Sequence, residues 1–529
     1  MIRNKLIPIS MEDPESADSP QREPLAETYT EAREQAFAYE GRSYPGKALV
    51  RMELVPGYER AKTKLLPHMR RMNEAHLIML YKQGIVTKED AVKIMKALQE
   101  IDYASYADSS YDGRFEDMYF KMEDEIIRKT DGAGGSLHLA RSRNDMCLAW
   151  SRMVVREDLL SVISRMIKLQ NTVALFAEEH KDTLYVIHTH TQHAQPGLLG
   201  HYFLGVADVI DRNISRLQDS YSASNRSPMG AAAITTTGFD ISRETVAELT
   251  GFGGVIVNSY DAVGNCDFFT QSASALGLCA LDLGRVITDM VLWATQEMGM
   301  IKVSDGYIST SSIMPQKRNP IALEHLRAAL SAVKGLADTV LDVFFKSPYG
   351  DISDYEDAED ILSDAVELFD RNIVLFEAVM ATLDVDKKLL FDRAYESFSV
   401  VTDIADEMYR SYGIPFRKAH HFVAQLVKKA DRMNYNLKNL SEEFFAGTYE
   451  EVFGEVFTGD FAPILRSIDP VHFVRSRKVF GGTGHEAMEA MIASAKKHID
   501  DNMNWLNRSK NNLEQADKRL KTEIRSLLN

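Results

Sequence analysis

Five long stretches in the middle of the chain carry apolar residues at spacings of three and four, the pattern of α-helices. They cover residues 152–180, 200–224, 267–299, 320–346 and 355–384. The stretch 267–299 is apolar on nearly all sides, and a helix without a polar face must be surrounded by other helices. The pattern therefore predicts an all-α protein with a central bundle of long helices that other chains complete.

Shorter helical patterns flank this bundle on both sides. A helical run starts at Gly57, with a kink expected at Pro67, and Thr87 is placed to cap the next helix. Shorter helices return after the bundle, and a charged helix is predicted over residues 486–528. The polar, proline-containing N-terminus predicts a mobile arm. The predicted divisions are an arm (1–35), an N-terminal helical domain (36–140), a central bundle domain (141–394) and a C-terminal helical domain with an extra C-terminal helix (395–529).

Charge and cysteine content narrow the function classes. Among 529 residues, 61 are Lys or Arg and 77 are Asp or Glu, which gives a net charge of −16. Nucleic acids and anionic membranes need a basic surface, so neither is an expected partner. The three cysteines, Cys147, Cys266 and Cys279, form no CxxC motif and predict thiols in a reducing compartment. No apolar run resembles a signal peptide or reaches the roughly 18 residues of a membrane span, so a cytoplasmic protein is expected.

The first candidate motif is "LHLARSRNDMCLAW", which places Arg141, Ser142, Arg143 and Asn144 in a row. Two arginines with a hydroxyl and an amide can hold carboxylates by charge-assisted hydrogen bonds. The alternative is an ordinary helix N-terminus with Ser142 or Asn144 as its cap.

The second candidate motif is "HTHTQHAQP", which contains His188, His190 and His193. Three histidines so close together could form a zinc site, but no cysteine is near and no HExxH pattern is present. A histidine that acts as general acid or base is favoured, since the pKa of imidazole lies near neutrality.

The third candidate motif is the loop "STSSIMPQKRNP", which ends at Pro320, where a helix is expected to start. Lys317 and Asn319 can stabilise an anion, and Ser311 or Ser312 can act as a base if a cation and backbone N–H groups lower its pKa. The alternative is a polar surface loop without a chemical role.

Together the three motifs resemble a known family. "SSIMPQKRNP" is similar to the GSSxMPxKxNP signature of the fumarase/aspartase superfamily. "LHLARSRND" resembles LHTGRSRNDQ, and "THTQHAQP" resembles THLQRAQP, of the argininosuccinate lyase branch. The resemblance extends from about residue 40 to 495, so the N-terminal arm and the last thirty or so residues lie outside it.

The resemblance implies a three-domain fumarase/aspartase-like fold with a tetrameric helical core, in which three chains contribute to each active site. It implies reversible β-elimination of a C–N bond with fumarate as one product, and no cofactor or metal. Argininosuccinate cleavage to arginine and fumarate is the first choice of reaction. The alternative is a related lyase that joins fumarate to another amine, such as a diamine or a different amino acid.

The resemblance also assigns roles to individual residues. Ser311 matches the base, and Lys317 and Asn319 match donors to the doubly charged carboxylate. His190 matches the histidine near the leaving group, and Glu324 matches its carboxylate partner. The remaining matches are substrate-binding positions, namely Ser142, Arg143, Asn144, Thr189, Gln195 and Ser312.

Several positions depart from the family pattern. Thr310 replaces a glycine, Ala140 replaces another glycine, and Tyr119 stands where a histidine is usual. The largest change is the acidic stretch 351–359, where the family has a Gln and a Lys that bind the amino-acid end of arginine. Depending on the register, those two positions become acidic: Asp354 or Glu356, and Asp357 or Glu359. This change favours a cation where the family binds a carboxylate.

Three other interpretations are weaker. An adenylosuccinate lyase is disfavoured because its branch carries different loop patterns. A crystallin-like or scaffold protein without activity is disfavoured because Ser311, Lys317, Asn319, His190 and Glu324 are all present. A metal hydrolase built on the three histidines is the third alternative, and metal analysis of the purified protein would test it.

Overall fold

The computed structural model describes residues 25–529, so residues 1–24 of the predicted arm lie outside the described residues. Within the described residues, seven α-helices precede the bundle: α1 (Tyr29–Glu40), α2 (Lys47–Leu49), α3 (Val55–Arg60), α4 (Leu66–Lys82), α5 (Lys88–Gln99), α6 (Tyr103–Ala107) and α7 (Met118–Lys129). Two π-helical turns, Val50–Leu54 and Ala61–Leu65, lie on either side of α3.

Residues 29–35 of the predicted arm belong to helix α1, which has no buried residues. Thr28 caps this helix by accepting a hydrogen bond from the Glu31 N–H, and the Glu31 side chain accepts one from the Thr28 N–H in return. Reciprocal capping of this kind starts a helix without help from a buried face. The predicted cap at Thr87 is confirmed, because the Thr87 hydroxyl accepts from Asp90 N at 3.2 Å. At Pro67 the chain passes directly from the π-helical turn Ala61–Leu65 into α4, so the kink stays a prediction.

The central helices are α8 (Arg143–Glu179), α9 (Leu199–Ser224), α10 (Arg243–Thr250), α11 (Ser259–Gly264), α12 (Asp267–Trp293), α13 (Ile321–Phe345) and α14 (Asp354–Ala381). The five predicted long helices correspond to α8, α9, α12, α13 and α14, which pack against one another as a bundle. Helix α12 packs on α9, α13 and α14 within the chain. Nevertheless Leu278, Leu281 and Leu292 on α12 keep 43%, 50% and 45% of their surface exposed.

The C-terminal helices are α15 (Lys387–Glu396), α16 (Val401–Tyr412), α17 (Phe416–Arg432), α18 (Glu442–Phe453), α19 (Ala462–Ser467), α20 (Pro470–Ser476) and α21 (His485–Leu528). The predicted charged helix at the C-terminus is therefore confirmed. Helix α21 spans 44 residues and runs back along α8, α9 and α10 to reach α4 and α5.

Strands are short and few within residues 25–529, and all pair in antiparallel twos. They are β1 (Leu184–Thr189) with β2 (Gln192–Leu198), β3 (Ile301–Lys302) with β6 (Asp384–Val385), and β4 (Ser309–Thr310) with β5 (Arg318–Asn319). The all-α fold class is confirmed. Among the described helices, none combines the length and the apolar character that a membrane crossing requires.

Candidate active site

The first candidate segment lies at the N-terminus of α8, where Ser142 is the cap residue. The Ser142 hydroxyl accepts from the Asn144 N–H, and the buried Asp145 carboxylate accepts from the Ser142 N–H at 2.9 Å. Asp145 also accepts from the N–H groups of Gly230 and Ala232, both at 2.9 Å. The capping role considered for Ser142 is thus present, and Asp145 ties the start of α8 to the loop that follows α9.

Arg141 has a structural role rather than the carboxylate-holding role that the sequence suggested. Its guanidinium is buried and donates to Asn73 Oδ1 at 2.8 Å and to the Tyr119 hydroxyl at 2.9 Å. Tyr119 also contacts the His138–Glu123 pair, whose atoms are 2.7 Å apart. The unusual tyrosine at position 119 is therefore a partner of Arg141.

Arg143 and Asn144 have partners in other parts of the chain. Arg143 forms an ion pair with Asp117 and donates to the Cys147 sulfur at 3.4 Å. Asn144 donates to the Ala233 carbonyl oxygen at 3.1 Å. Both side chains are only partly buried, so each can also meet a ligand.

The second candidate segment is a β-hairpin formed by β1 and β2. His190 and Thr191 form its two-residue turn with φ of 53° and 61°, the left-handed backbone of a type I′ turn. Glycine or asparagine usually occupies such positions, so the histidine and threonine hid the hairpin from sequence analysis. The turn holds His190 at the exposed tip, with Thr189 exposed beside it, and Gln195 on β2 donates to Thr402 at 3.3 Å.

The other two histidines face each other at the base of this tip. The rings of His188 and His193 have centroids 5.0 Å apart across the hairpin. Burial, and then the proximity of His193, lower the pKa of His188. Within residues 25–529, no three His, Cys, Asp or Glu side chains are arranged to hold a metal ion.

The third candidate segment is a loop held at its base by the pairing of β4 with β5. The Ser311 oxygen accepts from the N–H groups of Met314 at 3.1 Å and Ile313 at 3.3 Å. Asn319 donates to the Ser309 hydroxyl at 3.3 Å. The neighbouring side chain of Ser312 is exposed, so the loop offers its hydroxyls to solvent or to a ligand.

An open cleft of about 1160 Å³ lies beside this loop and is lined by Lys317, Asn319 and Glu324. Glu324 lies in the first turn of α13 and is exposed. Arg143 instead lines a different cavity, of about 120 Å³. Among the described residues, no hydrogen bond or ion pair joins His190 to Glu324 or to Ser311. Within one chain, Arg143 therefore lies at a different cavity from Lys317, Asn319 and Glu324.

The comparisons with known proteins identify the family of this chain. Residues 59–335 match the family model described as "Lyase", and residues 398–474 match "Argininosuccinate lyase C-terminal". The argininosuccinate lyase of Methanocaldococcus jannaschii is 34% identical over 80% of this chain and 87% of its own length. Argininosuccinate lyase 2 of Agrobacterium fabrum is 34% identical over 85% of this chain and 90% of its own. The chain belongs to the argininosuccinate lyase family. A solved structure of an EDDS lyase variant with bound fumarate is similar with a TM-score of 0.81 and 27% identity, over 88% of this chain and 92% of that one.

The acidic stretch 351–359 includes the start of α14. Glu356 and Glu359 line the 120 Å³ cavity together with Arg143. Asp354 instead accepts a hydrogen bond from Ser347 at 2.7 Å, and Asp357 is exposed. Of the two residue pairs that the sequence left open, Glu356 and Glu359 therefore form the pair that lines the cavity.

Three further residues of this cavity escaped sequence analysis, namely Glu53, Arg60 and Asp117. Arg60 lies within 4.0 Å of both Glu356 and Glu359, about three hundred positions away along the chain. Burial raises the pKa of Glu359 to about 7, and burial together with Glu356 raises the pKa of Glu53 to about 7. No local pattern could have indicated contacts across such a sequence separation.

Proposed function

We propose that this protein is a carbon–nitrogen lyase that eliminates an amine from an N-substituted aspartate and releases fumarate. Membership of the argininosuccinate lyase family, with Ser311, Lys317, Asn319, His190 and Glu324 all in place, is the observation that carries the proposal. Argininosuccinate, with arginine as the leaving amine, is the first candidate substrate because the relatives carry that name.

Ser311 acts as the base in this proposal. The deprotonated Ser311 oxygen removes the proton from the carbon next to a carboxylate. The N–H groups of Ile313 and Met314, which donate hydrogen bonds to this oxygen, stabilise its charge. The electron pair of the C–H bond spreads onto the carboxylate, where Lys317 and Asn319 stabilise the charge. It then forms the C=C bond of fumarate as the C–N bond breaks.

His190 serves the leaving group. The electron pair of the broken C–N bond stays with the amine nitrogen, which takes a proton from His190, and Glu324 orients that histidine. The substrate carboxylates are bound by a set of polar side chains, namely Ser142, Arg143, Asn144, Thr189, Gln195 and Ser312. The exposed position of His190 at a hairpin tip supports a role toward a substrate brought from outside the chain.

The active site assembles from three chains of a homotetramer. The separate cavities of Arg143 and Lys317 within one chain support this, as do the exposed leucines 278, 281 and 292 on α12. Apolar surface of that kind is typical of helices that pack against copies of themselves. The three free cysteines, two of them buried, support a cytoplasmic location.

A different leaving amine is the second candidate. The observation that favours it is the pair Glu356 and Glu359, which lines the cavity beside Arg143 and would attract a cation rather than a carboxylate.

The reaction is tested by following fumarate absorbance after argininosuccinate is added to wild type and to Ser311→Ala. Wild type should release fumarate, and Ser311→Ala should lower kcat by at least ~10³-fold while substrate still binds. Loss of only a few-fold would move the role of the base to another residue, such as His190.

The composite site is tested by refolding Arg143→Ala and Ser311→Ala together in equal amounts. With random mixing, ~1/4 of the sites draw both residues from competent chains, so activity should return to about that fraction of wild type. Mixing without unfolding should restore nothing, because subunits do not exchange across a large apolar interface. Reassembled tetramers without recovered activity would mean that each site lies within one chain.

A further inference from the structure

The cavity that contains Arg143 carries an excess of acidic groups, and we call it the acidic cavity. It lies between the π-helical turns around α3, the segment before α7, the first turns of α8 and the start of α14. Its lining includes five carboxyl groups, from Glu53, Glu116, Asp117, Glu356 and Glu359, against two guanidinium groups. The acidic groups are thus in the majority before any pairing is considered.

The two arginines leave part of this negative charge uncompensated. The charge of Arg143 is offset by Asp117, with which it forms an ion pair. Arg60 makes its closest ion pair, at 2.6 Å, with Asp360, which does not line the cavity. The Arg60 guanidinium lies 4.0 Å from the carboxylates of Glu356 and Glu359. Its single positive charge, already paired with Asp360, therefore compensates the charges of Glu356, Glu359 and Glu53 only in part.

Glu359 shows that a partner is missing. The residue is only 6% exposed, and its Oε1 atom has no hydrogen-bond partner among the described residues. A buried carboxyl oxygen without a donor costs about 1–3 kcal/mol, more when it is charged. A cationic donor inside the cavity would satisfy this oxygen and offset the repulsion among Glu53, Glu356 and Glu359.

The walls of the cavity favour an organic cation on a short carbon chain. Leu54, Leu65 and Met69 offer apolar surface for methylene groups. The rings of Trp150 and Tyr355 also line the cavity, and aromatic faces attract ammonium and guanidinium groups. A volume of about 120 Å³ leaves room for several water-sized groups.

We infer that the acidic cavity binds the free cationic end of the leaving amine, so that the enzyme prefers amines that carry an ammonium and no carboxylate at that end. Diamines and guanidino-amines belong to this class. An amino acid such as arginine brings an ammonium and a carboxylate together, and its carboxylate would meet Glu356 and Glu359. Like charges at such a distance oppose binding.

The inference rests on the proposed function, because it assumes that Arg143 and the acidic cavity serve one substrate. The Arg143 guanidinium links the two regions, since it is a candidate ligand for substrate carboxylates and also lines the cavity. The aspartate half of a substrate at Arg143 would therefore point its amine substituent toward Glu356 and Glu359.

The test runs the reaction toward addition and follows the loss of fumarate absorbance with matched amines. Agmatine is compared with arginine, from which it differs by the α-carboxylate alone. The series 1,4-diaminobutane, butylamine and 4-aminobutanoate changes the distal group from positive to neutral to negative. Expected values of kcat/KM are at least ~10-fold higher for agmatine than for arginine, and fall at each step of the series.

Arginine that reacts as well as agmatine, or 4-aminobutanoate that reacts as well as 1,4-diaminobutane, would overturn the inference while leaving the lyase function intact. If no amine consumes fumarate and argininosuccinate releases none, the lyase function itself is wrong and the inference falls with it. The two failures are thus told apart within one set of assays.

Two variants locate the preference. Glu359→Gln should lower the ratio of kcat/KM for agmatine over arginine by at least ~10-fold, mainly through KM for the amine. Glu367→Gln makes the same chemical change at an exposed position of α14 outside the cavity and should keep the wild-type ratio. An unchanged ratio in Glu359→Gln, or an equal fall in both variants, would contradict this location. The wild-type panel still decides the question if Glu359→Gln does not fold.

Discussion

Gly200 allows the hairpin that carries His190 to join the bundle, and replacing it with alanine should disrupt that junction. The residue follows Leu199 at the start of α9, where the chain passes the end of α8. A Cβ at this position would lie inside contact distance of the Ala177 carbonyl oxygen. It would also lie 2.8 Å from Lys181 Cα and 2.9 Å from the His180 oxygen. All three are backbone atoms, so no side chain can rotate away.

The cost follows from the contacts at this junction. The Gly200 N–H donates to the His180 oxygen at 3.0 Å, and the Leu199 N–H donates to the Thr183 oxygen at 2.9 Å. Moving α9 away from α8 breaks or stretches both bonds, at about 1–3 kcal/mol for each buried group left without a partner. Overpacking adds about 1–3 kcal/mol, whereas the higher helix propensity of alanine returns at most ~1 kcal/mol. Gly200→Ala should therefore lower the free energy of unfolding by at least ~2 kcal/mol.

Gly205→Ala is the matched control on the same helix. A Cβ at Gly205 would meet nothing within 4 Å, so this variant should gain up to ~1 kcal/mol from helix propensity. Urea unfolding at one fixed protein concentration compares the two variants, since subunit association makes the midpoint concentration-dependent. Gly200→Ala should also lower kcat, because the hairpin and His190 move with the junction. Two variants that agree within about 0.5 kcal/mol would refute the argument.

Three further predictions concern the other unusual residues. His190→Asn should nearly abolish fumarate release, whereas His188→Asn and His193→Asn should act mildly; equal losses in all three would instead support a shared metal role. Ala140 has φ of 60°, a backbone conformation that costs a residue with a side chain about 1–2 kcal/mol. Ala140→Gly should therefore raise the free energy of unfolding by ~0.5–1 kcal/mol, and a lower urea midpoint would contradict this. Burial raises the pKa of Glu359 to about 7, so the folded chain keeps a proton that the unfolded chain releases above about pH 4.3. The resulting contribution to stability is complete below pH ~4.3 and is lost as the pH rises through about 7. Glu359→Gln should therefore flatten the decline of the urea midpoint between these pH values, and parallel curves for wild type and variant would disprove this.

The long helices were predictable because their signal is local and repeated. Length and an apolar surface on nearly every side identified α12 as the centre of a bundle before any contact was known. The turn at His190 and Thr191 was not predictable, since its left-handed backbone is held by the pairing of β1 with β2 and not by a glycine. Helix α1 was missed because its start depends on two side chains, Thr28 and Glu31, rather than on an apolar face.

The candidate site divides in the same way. The motif residues Ser311, Lys317 and Asn319 are neighbours in sequence, so a pattern of a dozen letters was enough to find them. The burial of Arg141 against Asn73, and the acidic cavity around Glu359, arise from segments that meet only after folding. Such contacts depend on tertiary packing, for which a single sequence carries no local signal.

The position of helix α21 has a consequence for how the chain is made. This helix is synthesised after α4, α5 and α8, yet it lies against all three. Lys82 contacts Glu523 at 2.5 Å, and Gln170 accepts from Asn502 at 3.2 Å. Until translation reaches α21, the surfaces of α4, α5 and α8 that α21 later covers stay exposed. Unfinished chains can aggregate during this period. Helix α21 thus covers this surface late in biosynthesis, and a chain that stops before residue 485 leaves the surface of α4, α5 and α8 uncovered.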